Sequence, residues 1–331
     1  MTSQNLRLSL PDSFQEPFRQ LGFGAAQFGN LGRETSDEEC AGAFSEAWNS
    51  GLRYFDTAPH YGLGLSERRL GEALHQYPRD DYVLSTKVGR LLRPNPQPRG
   101  SDVDNGFHVP DSNQRERDYT YDGVMCSLEE SLKRLGTDRI DILWIHDPEE
   151  PTDRSGEALA GAVPALERLR DDGTIRAWGV GSKDPTMMQH FVHWAAPDLL
   201  MVAGRYTLLE QHHDLMQACT NSGVGVVAAG IFNSGLLAHD VPPNDARYEY
   251  GAAPTEQLAH ARELAAVARE HGTSLPAAAL AYPKRHPGVV NVIAGMRNAA
   301  QVERNIALYE TEIPEQFWTD LQVRGLLKEE P

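Results

Sequence analysis

Four residues of this sequence carry side chains that, brought together, would move a proton at an oxygen-bearing carbon: Asp56, Tyr61, Lys87 and His146. A phenol has an ordinary pKa of about 10 and loses its proton more easily beside a buried cation. Lys87 would supply that cation, the Asp56 carboxylate would hold the ammonium charged, and His146 would donate a hydrogen bond to the oxygen of the reacting carbon. Tyr61 then becomes the general acid or base. Taken singly, none of the four carries this chemistry. A lysine at a strand end is as readily the chain leaving the core for water, the histidine a hydrogen-bonded structural residue and the tyrosine a packed loop aromatic. Placement decides.

Asp56 ends the run LRYFD, Lys87 ends YVLSTK and His146 ends IDILWIH, with Tyr61 in the loop TAPHYG directly after the first of these. Each run is short and apolar enough to be buried on both faces of a parallel sheet. From about Leu21 such runs alternate with longer amphipathic stretches, the sequence form of repeated β-α units. LGFG opens the series, a helix capped by a Ser36–Glu39 box follows and runs to Gly51, and TIRAWGVG, DLLMV, VGVVAAG and VVNVIAG bring the strands to eight. The expected fold is a single α/β domain over residues 1–331, a (β/α)8 TIM barrel. Residues 1–20 form an N-terminal extension, and PEQFWTDLQVRGLLK a C-terminal helical extension. A doubly wound open sheet would place a GxGxxG turn after its first strand, and GFGAAQFG lacks that spacing. In a barrel the C-terminal strand ends face the reaction site, so acid, base and phenol converge. Residues 91–122 and 239–254, rich in Pro, Gly, Asp and Asn, read as long loops on the same face.

The formal net charge of −16 repels polyanions, and no Lys/Arg-rich run offers them a local patch, so nucleic acid is not expected as a partner. The three cysteines are widely spaced, with no CxxC pair and no Cys/His cluster to hold a metal; a reducing cytoplasm is the expected setting. A basic start with an apolar core is missing from the N-terminus, and no later segment reaches about 18 uninterrupted apolar residues, so no membrane association is expected. A barrel hydrolase using a metal would gather His and Asp ligands on its strand ends; here Lys87 would repel a cation and no His-x-His pair follows an early strand.

The stretch RYFDTAPHYGLGLSERRLGEAL resembles the second-strand motif of the aldo-keto reductase family, and the likeness runs from about Leu21 to Leu308. The resemblance implies that Asp56, Tyr61, Lys87 and His146 stand in the family's catalytic tetrad and that the partner is a small-molecule substrate. It also implies a nicotinamide dinucleotide, NAD or NADP, extended across the barrel mouth without a Rossmann domain, which agrees with the missing GxGxxG. Ser182 in GVGSKDP resembles the serine of a Ser-Asn pair that holds the nicotinamide carboxamide, with Lys183 in place of the Asn. GIFNSGLL resembles the pyrophosphate loop, where Gly230, Phe232, Asn233, Gly235 and Leu236 would let backbone N–H groups approach phosphates. AGMRNAAQVERN resembles the adenosine site and contributes Gly295, Met296, Arg297, Gln301 and Asn305. Ala203 and Ala229 stand where the family often has a Gln and a nicotinamide-stacking aromatic; Tyr206 is the candidate substitute. Arg297 is basic and Gln301 neutral, which leaves the choice of NAD or NADP open.

The runs AGRYTLLEQ, WIHDPEE and GIFNSGLL look most like a branch of that family which oxidises aldoses such as L-fucose at C1 to the lactone, a branch close to one acting on pyridoxal. Reversed, the same groups reduce a carbonyl, so a broad aldehyde or ketone reductase is the alternative. Asn30, His60, Asp147 and Arg205 lie near strand ends, where a hydroxyl-rich substrate needs polar contacts, although each would serve equally as a solvated rim residue. A nicotinamide-binding regulatory subunit without turnover is the reading from a different class.

Overall fold

The structure, a computed structural model, describes residues 18, 20–149 and 151–328. The expected N-terminal extension therefore lies almost wholly outside the described residues.

Eight strands form the barrel: β1 Leu21–Gly24, β2 Tyr54–Asp56, β3 Val83–Val88, β4 Ile142–His146, β5 Ala177–Ser182, β6 Leu199–Ala203, β7 Gly225–Ala229 and β8 Val289–Gly295. They follow one another round the wall in chain order, all parallel, and β8 closes on β1. The helices between them include α1 Asp37–Asn49, α2 Leu65–Leu74, α3 Tyr121–Leu135, α4 Val163–Asp171, α5 Pro185–Trp194, α6 His213–Ser222, α7 Thr255–Glu270, α8 Leu275–Ala281 and α9 Ala299–Glu310. The C-terminal helical extension is α10, Glu315–Val323. The (β/α)8 barrel expected from the sequence is the observed fold.

Strand periodicity explains where the site sits. Side chains alternate faces with a period of two, so every second residue of a barrel strand points inward. Tyr54, Val83, Ile142 and Trp144 pack with Phe18, Ala177, Leu199, Met201, Val227 and Ile293 as the apolar filling of the barrel. The same inward rows continue through Asp56 on β2, Ser85 and Lys87 on β3 and His146 on β4. The intervening residues Phe55, Leu84, Leu143 and Ile145 pack outward against the helices. A greasy floor with charged groups above it is thus a direct consequence of the order of residues along three strands.

The Ser36 box forms as expected, with Glu39 N donating to Ser36 Oγ and Ser36 N to Glu39 Oε2, both at 3.1 Å. Such a cap contributes about 1 kcal/mol to its helix. Two expectations change. The 91–122 connection is not unstructured: Arg90–Pro94 and Asn113–Arg117 pair as an antiparallel hairpin. In the 239–254 connection, Arg247–Tyr248 pairs with Gly251–Ala252. Both segments are poor in apolar residues, so hydropathy patterning gives no sign of either. The helix opening at EALAGAV begins with a wide turn over Ala158–Ala162 before α4, next to Pro164, which has no N–H to donate to the preceding turn.

Candidate active site

Register brings the four candidates to one end of the barrel. Asp56 stands opposite Ser85, Lys87 opposite Trp144 and His146 opposite Gly181. Lys87 and Asp56 are 2% and 4% exposed, and their Nζ and Oδ2 lie 2.6 Å apart. The ammonium also donates to the Thr57 carbonyl at 2.9 Å, and Ser85 Oγ donates to Asp56 Oδ1 at 2.6 Å. Because the Ser85 proton is committed there, the Tyr54 hydroxyl is the donor in its 3.0 Å contact with Ser85 Oγ. A relay of buried hydroxyls therefore fixes the carboxylate, and the carboxylate fixes the lysine. Burial works against the charge on Lys87, but Asp56 and Tyr61 outweigh it and its pKa is raised.

Tyr61 packs its ring over this cation, 4.8 Å from Lys87 Nζ to the ring centroid, and meets the His146 ring edge-on at 5.9 Å. The expected easing of its ionisation is only partly realised. Burial is the larger effect and pushes the phenol up to about 12, while Lys87 pulls it down. At neutral pH Tyr61 is a proton donor held next to the one group that favours its deprotonation. His146 is kept neutral: burial first, then Arg90 and Lys87, holds its pKa well below the ordinary histidine value. Its Nε2 lies 3.3 Å from Asp147 Oδ2, which favours the tautomer with the proton on Nε2.

Of the four candidate substrate contacts, two face the site. His60 packs edge-on against His146 at 5.4 Å and Phe107 at 5.2 Å, and its Nδ1 has no hydrogen-bond partner among the described residues. Asp147 is tied to Arg90 at 2.6 Å beside His146. The other two make contacts within the protein. Asn30 is engaged within the protein, Nδ2 donating to His108 O while Oδ1 accepts from Thr35 N and Arg69 Nη1. Arg205 is drawn 2.7 Å from Glu249, which the 239–254 connection brings to the barrel mouth.

The cofactor candidates divide similarly. Ser182 lies at the mouth and donates to Glu149, a residue the sequence reading did not single out. Lys183 pairs with Glu249 at 3.0 Å and lies over the Tyr250 ring. Tyr206 is corrected outright: it is 1% exposed among Tyr282, His213 and His286 and offers no stacking face. Leu236 and Met296 are core residues with no accessible side chain, and Phe232 packs partly against the same core. The amides of Asn233, Gly235 and Leu236 already donate within their own turn, to Gly230, Phe232 and Asn233 carbonyls. Arg297 donates to the Leu31 and Arg33 carbonyls and to Thr35 Oγ1, tying β8 to the loop after β1. Gln301 closes the start of α9 by accepting from Arg297 N, and Asn305 is buried on that helix.

Small residues and a polar atom unpartnered among the described residues nevertheless mark the strand ends. Ala203 and Ala229 pair at the ends of β6 and β7, leaving low side chains there. A methyl group built on Gly235 would meet nothing within 4 Å, Gly295 is exposed, and Asn233 Oδ1 is buried without a hydrogen-bond partner among the described residues. These features fit a ligand with hydrogen-bond donors laid across the strand ends. No helix among the described residues is long and apolar enough to cross a membrane.

Comparison with known proteins agrees with the barrel fold. The sequence profile of the aldo/keto reductase family matches residues 20–323. A D-threo-aldose 1-dehydrogenase of a Pseudomonas species is 49% identical over 93% of this chain and 94% of its own length. A pyridoxal 4-dehydrogenase of Microbacterium luteolum is 35% identical over the same shares. Among solved structures, the holo form of an aldo-keto reductase from Bacillus halodurans superposes with a TM-score of 0.71 at 25% identity, covering 93% of this chain and 92% of that one.

Proposed function

The chain belongs to the aldo/keto reductase family and is an oxidoreductase, and from that premise we propose that it oxidises an aldose at C1, L-fucose or a D-threo-aldose, to the corresponding lactone. The observation that carries this reading is the buried Lys87–Asp56 pair lying under Tyr61 and beside neutral His146. The similarity to an aldose 1-dehydrogenase at 49% identity supports the substrate class.

A nicotinamide coenzyme, NAD or NADP, held at the strand ends would supply the hydride acceptor for oxidation at C1 and the hydride donor for the reverse reaction. Tyr61 takes the hydroxyl proton in oxidation and gives it back when a carbonyl is reduced. Lys87 makes the phenolate accessible by its charge, and Asp56 keeps that charge in place. His146, neutral with its proton on Nε2, donates to the reacting oxygen and fixes its position. His60 and Asp147 contact the sugar hydroxyls. Ser182, the Gly230–Gly235 turn with Asn233, Gly295, Gln301 and Asn305 would hold the dinucleotide.

The test is to mix purified protein with each coenzyme and L-fucose, D-arabinose, pyridoxal or a simple alcohol. Reduced-nicotinamide absorbance and product lactone are then measured. Turnover fastest with an aldose supports the proposal. Turnover fastest with pyridoxal would replace the sugar by that aldehyde, and tight coenzyme binding without turnover would make the chain a binding protein.

A further inference from the structure

Directly after His146 the backbone makes an uncommon excursion. Asp147 has φ 41, in the left-handed region that side chains other than glycine rarely adopt. The turn is held on all sides: Asp147 N donates to the Gly181 carbonyl at 3.0 Å, and the Asp147 carbonyl accepts from Tyr119 OH and Arg117 Nη1, both at 3.2 Å. Its effect is to fold the carboxylate back beside the imidazole of the preceding residue. Asp147 Oδ2 lies 3.3 Å from His146 Nε2 and 2.6 Å from Arg90 Nη2. Strain of this kind, held by its surroundings, clusters at sites where a side chain must be aimed.

Arg90 is 5% exposed, and its Nε–H has no hydrogen-bond partner among the described residues. It also stands directly opposite Arg117 in the hairpin at the barrel mouth. Like charges so placed disfavour the pairing of the two strands, so the stability of the hairpin does not explain Arg90. A carboxylate accepts only and a guanidinium donates only, whereas a hydroxyl does both. An oxygen bound by His146 Nε2 and a hydroxyl on the neighbouring carbon are about a hydrogen-bond length apart. That is the separation between His146 Nε2 and the Asp147 carboxylate.

We propose that Asp147 and Arg90 together read the hydroxyl on the carbon next to the reacting one, so that the enzyme selects aldoses and α-hydroxy aldehydes over their deoxy counterparts. The hydroxyl donates to Asp147 and accepts from Arg90. The inference rests on the reading of His146 given above, and Arg90 is the specificity residue it adds.

The test compares lactaldehyde with propanal, and L-fucose with 2-deoxy-L-fucose, in the wild-type protein and in Asp147→Asn and Arg90→Gln. A site built to bond a hydroxyl rejects its absence strongly, and a wild-type kcat/KM ratio of about 100 or more is expected. In either variant the ratio should fall to about ten or less, the loss on lactaldehyde exceeding that on propanal by about tenfold or more. Equal rates for the two aldehydes in the wild type, or equal losses on both in the variants, would overturn the proposal. Calorimetric binding of L-fucose and 2-deoxy-L-fucose decides the same point without turnover. A preference for L-fucose that Asp147→Asn abolishes supports the hydroxyl reader even if the dehydrogenase reading fails, and equal binding refutes it.

Discussion

Lys87 Nζ and Asp56 Oδ2 are 2.6 Å apart at the ends of adjacent strands, and both are almost completely withdrawn from water. Removing one partner leaves a buried charge uncompensated, which costs about 3–5 kcal/mol in such pairs. Asp56→Asn is therefore expected to lower the melting temperature and, because the Lys87 pKa falls when burial is no longer opposed, to cut kcat by about 100-fold or more. Thermal unfolding and steady-state rates check both effects. A variant that melts like wild type and turns over normally would show that the pair holds nothing in place.

Tyr61 sits with its phenol pushed up to about 12 by burial, against the opposing pull of Lys87. Lys87→Met removes that pull, so the pH optimum for oxidation moves upward. Tyr61→Phe folds and binds coenzyme yet loses hydride transfer. The same shift has a stability consequence. A folded-state pKa above the unfolded value of about 10 gives stability that is complete below pH 10 and is lost as pH rises through 12. Chemical denaturation between pH 9 and 12 should show a steeper decline for wild type than for Tyr61→Phe.

Much of this was legible beforehand because the β runs are buried on both faces and their last polar residues all fall at one end of the barrel. Long-range pairings were not. Asn30 looked like a free rim residue, but its partner His108 is 78 positions away. Tyr206 looked like an aromatic at a strand end, yet packing against Tyr282 and His286 from the segment after α8 removes it from the mouth. Arg90 and Glu149 escaped notice for the same reason. Their importance depends on Asp147 and Ser182, which approach them only when the barrel closes.

His146 and His60 are both held neutral, chiefly by burial and then by neighbouring cations that include Arg90 and Lys87. The unfolded chain takes up these protons near pH 6.5 while the folded protein refuses them. Folding stability is therefore present above that pH and lost as pH falls below it. Each histidine steepens the loss by up to about 1.4 kcal/mol per pH unit. Denaturant midpoints between pH 7 and 5 should fall less steeply in His60→Gln and in His146→Gln than in wild type. Slopes identical to wild type in both variants would mean that the imidazoles reach solvent.

Gly29 and Gly62 let the loops after β1 and β2 touch at the backbone, which is what seats Tyr61. A methyl group on Gly29 would fall 2.5 Å from the Tyr61 carbonyl carbon and 2.7 Å from its oxygen, a distance that backbone atoms do not tolerate. Gly29→Ala must push the Tyr61 loop away from β1. Overpacking costs about 1–3 kcal/mol, and a displacement near 1 Å in a reacting group costs about 100-fold in rate. The variant should thus keep its fold while losing most of its kcat. Gly42→Ala is the matched control, because a methyl there meets nothing within 4 Å on α1 and the helix gains from losing a glycine. If Gly29→Ala and Gly42→Ala proved equally active, the seat of Tyr61 would have to be set by something other than this contact between two loops.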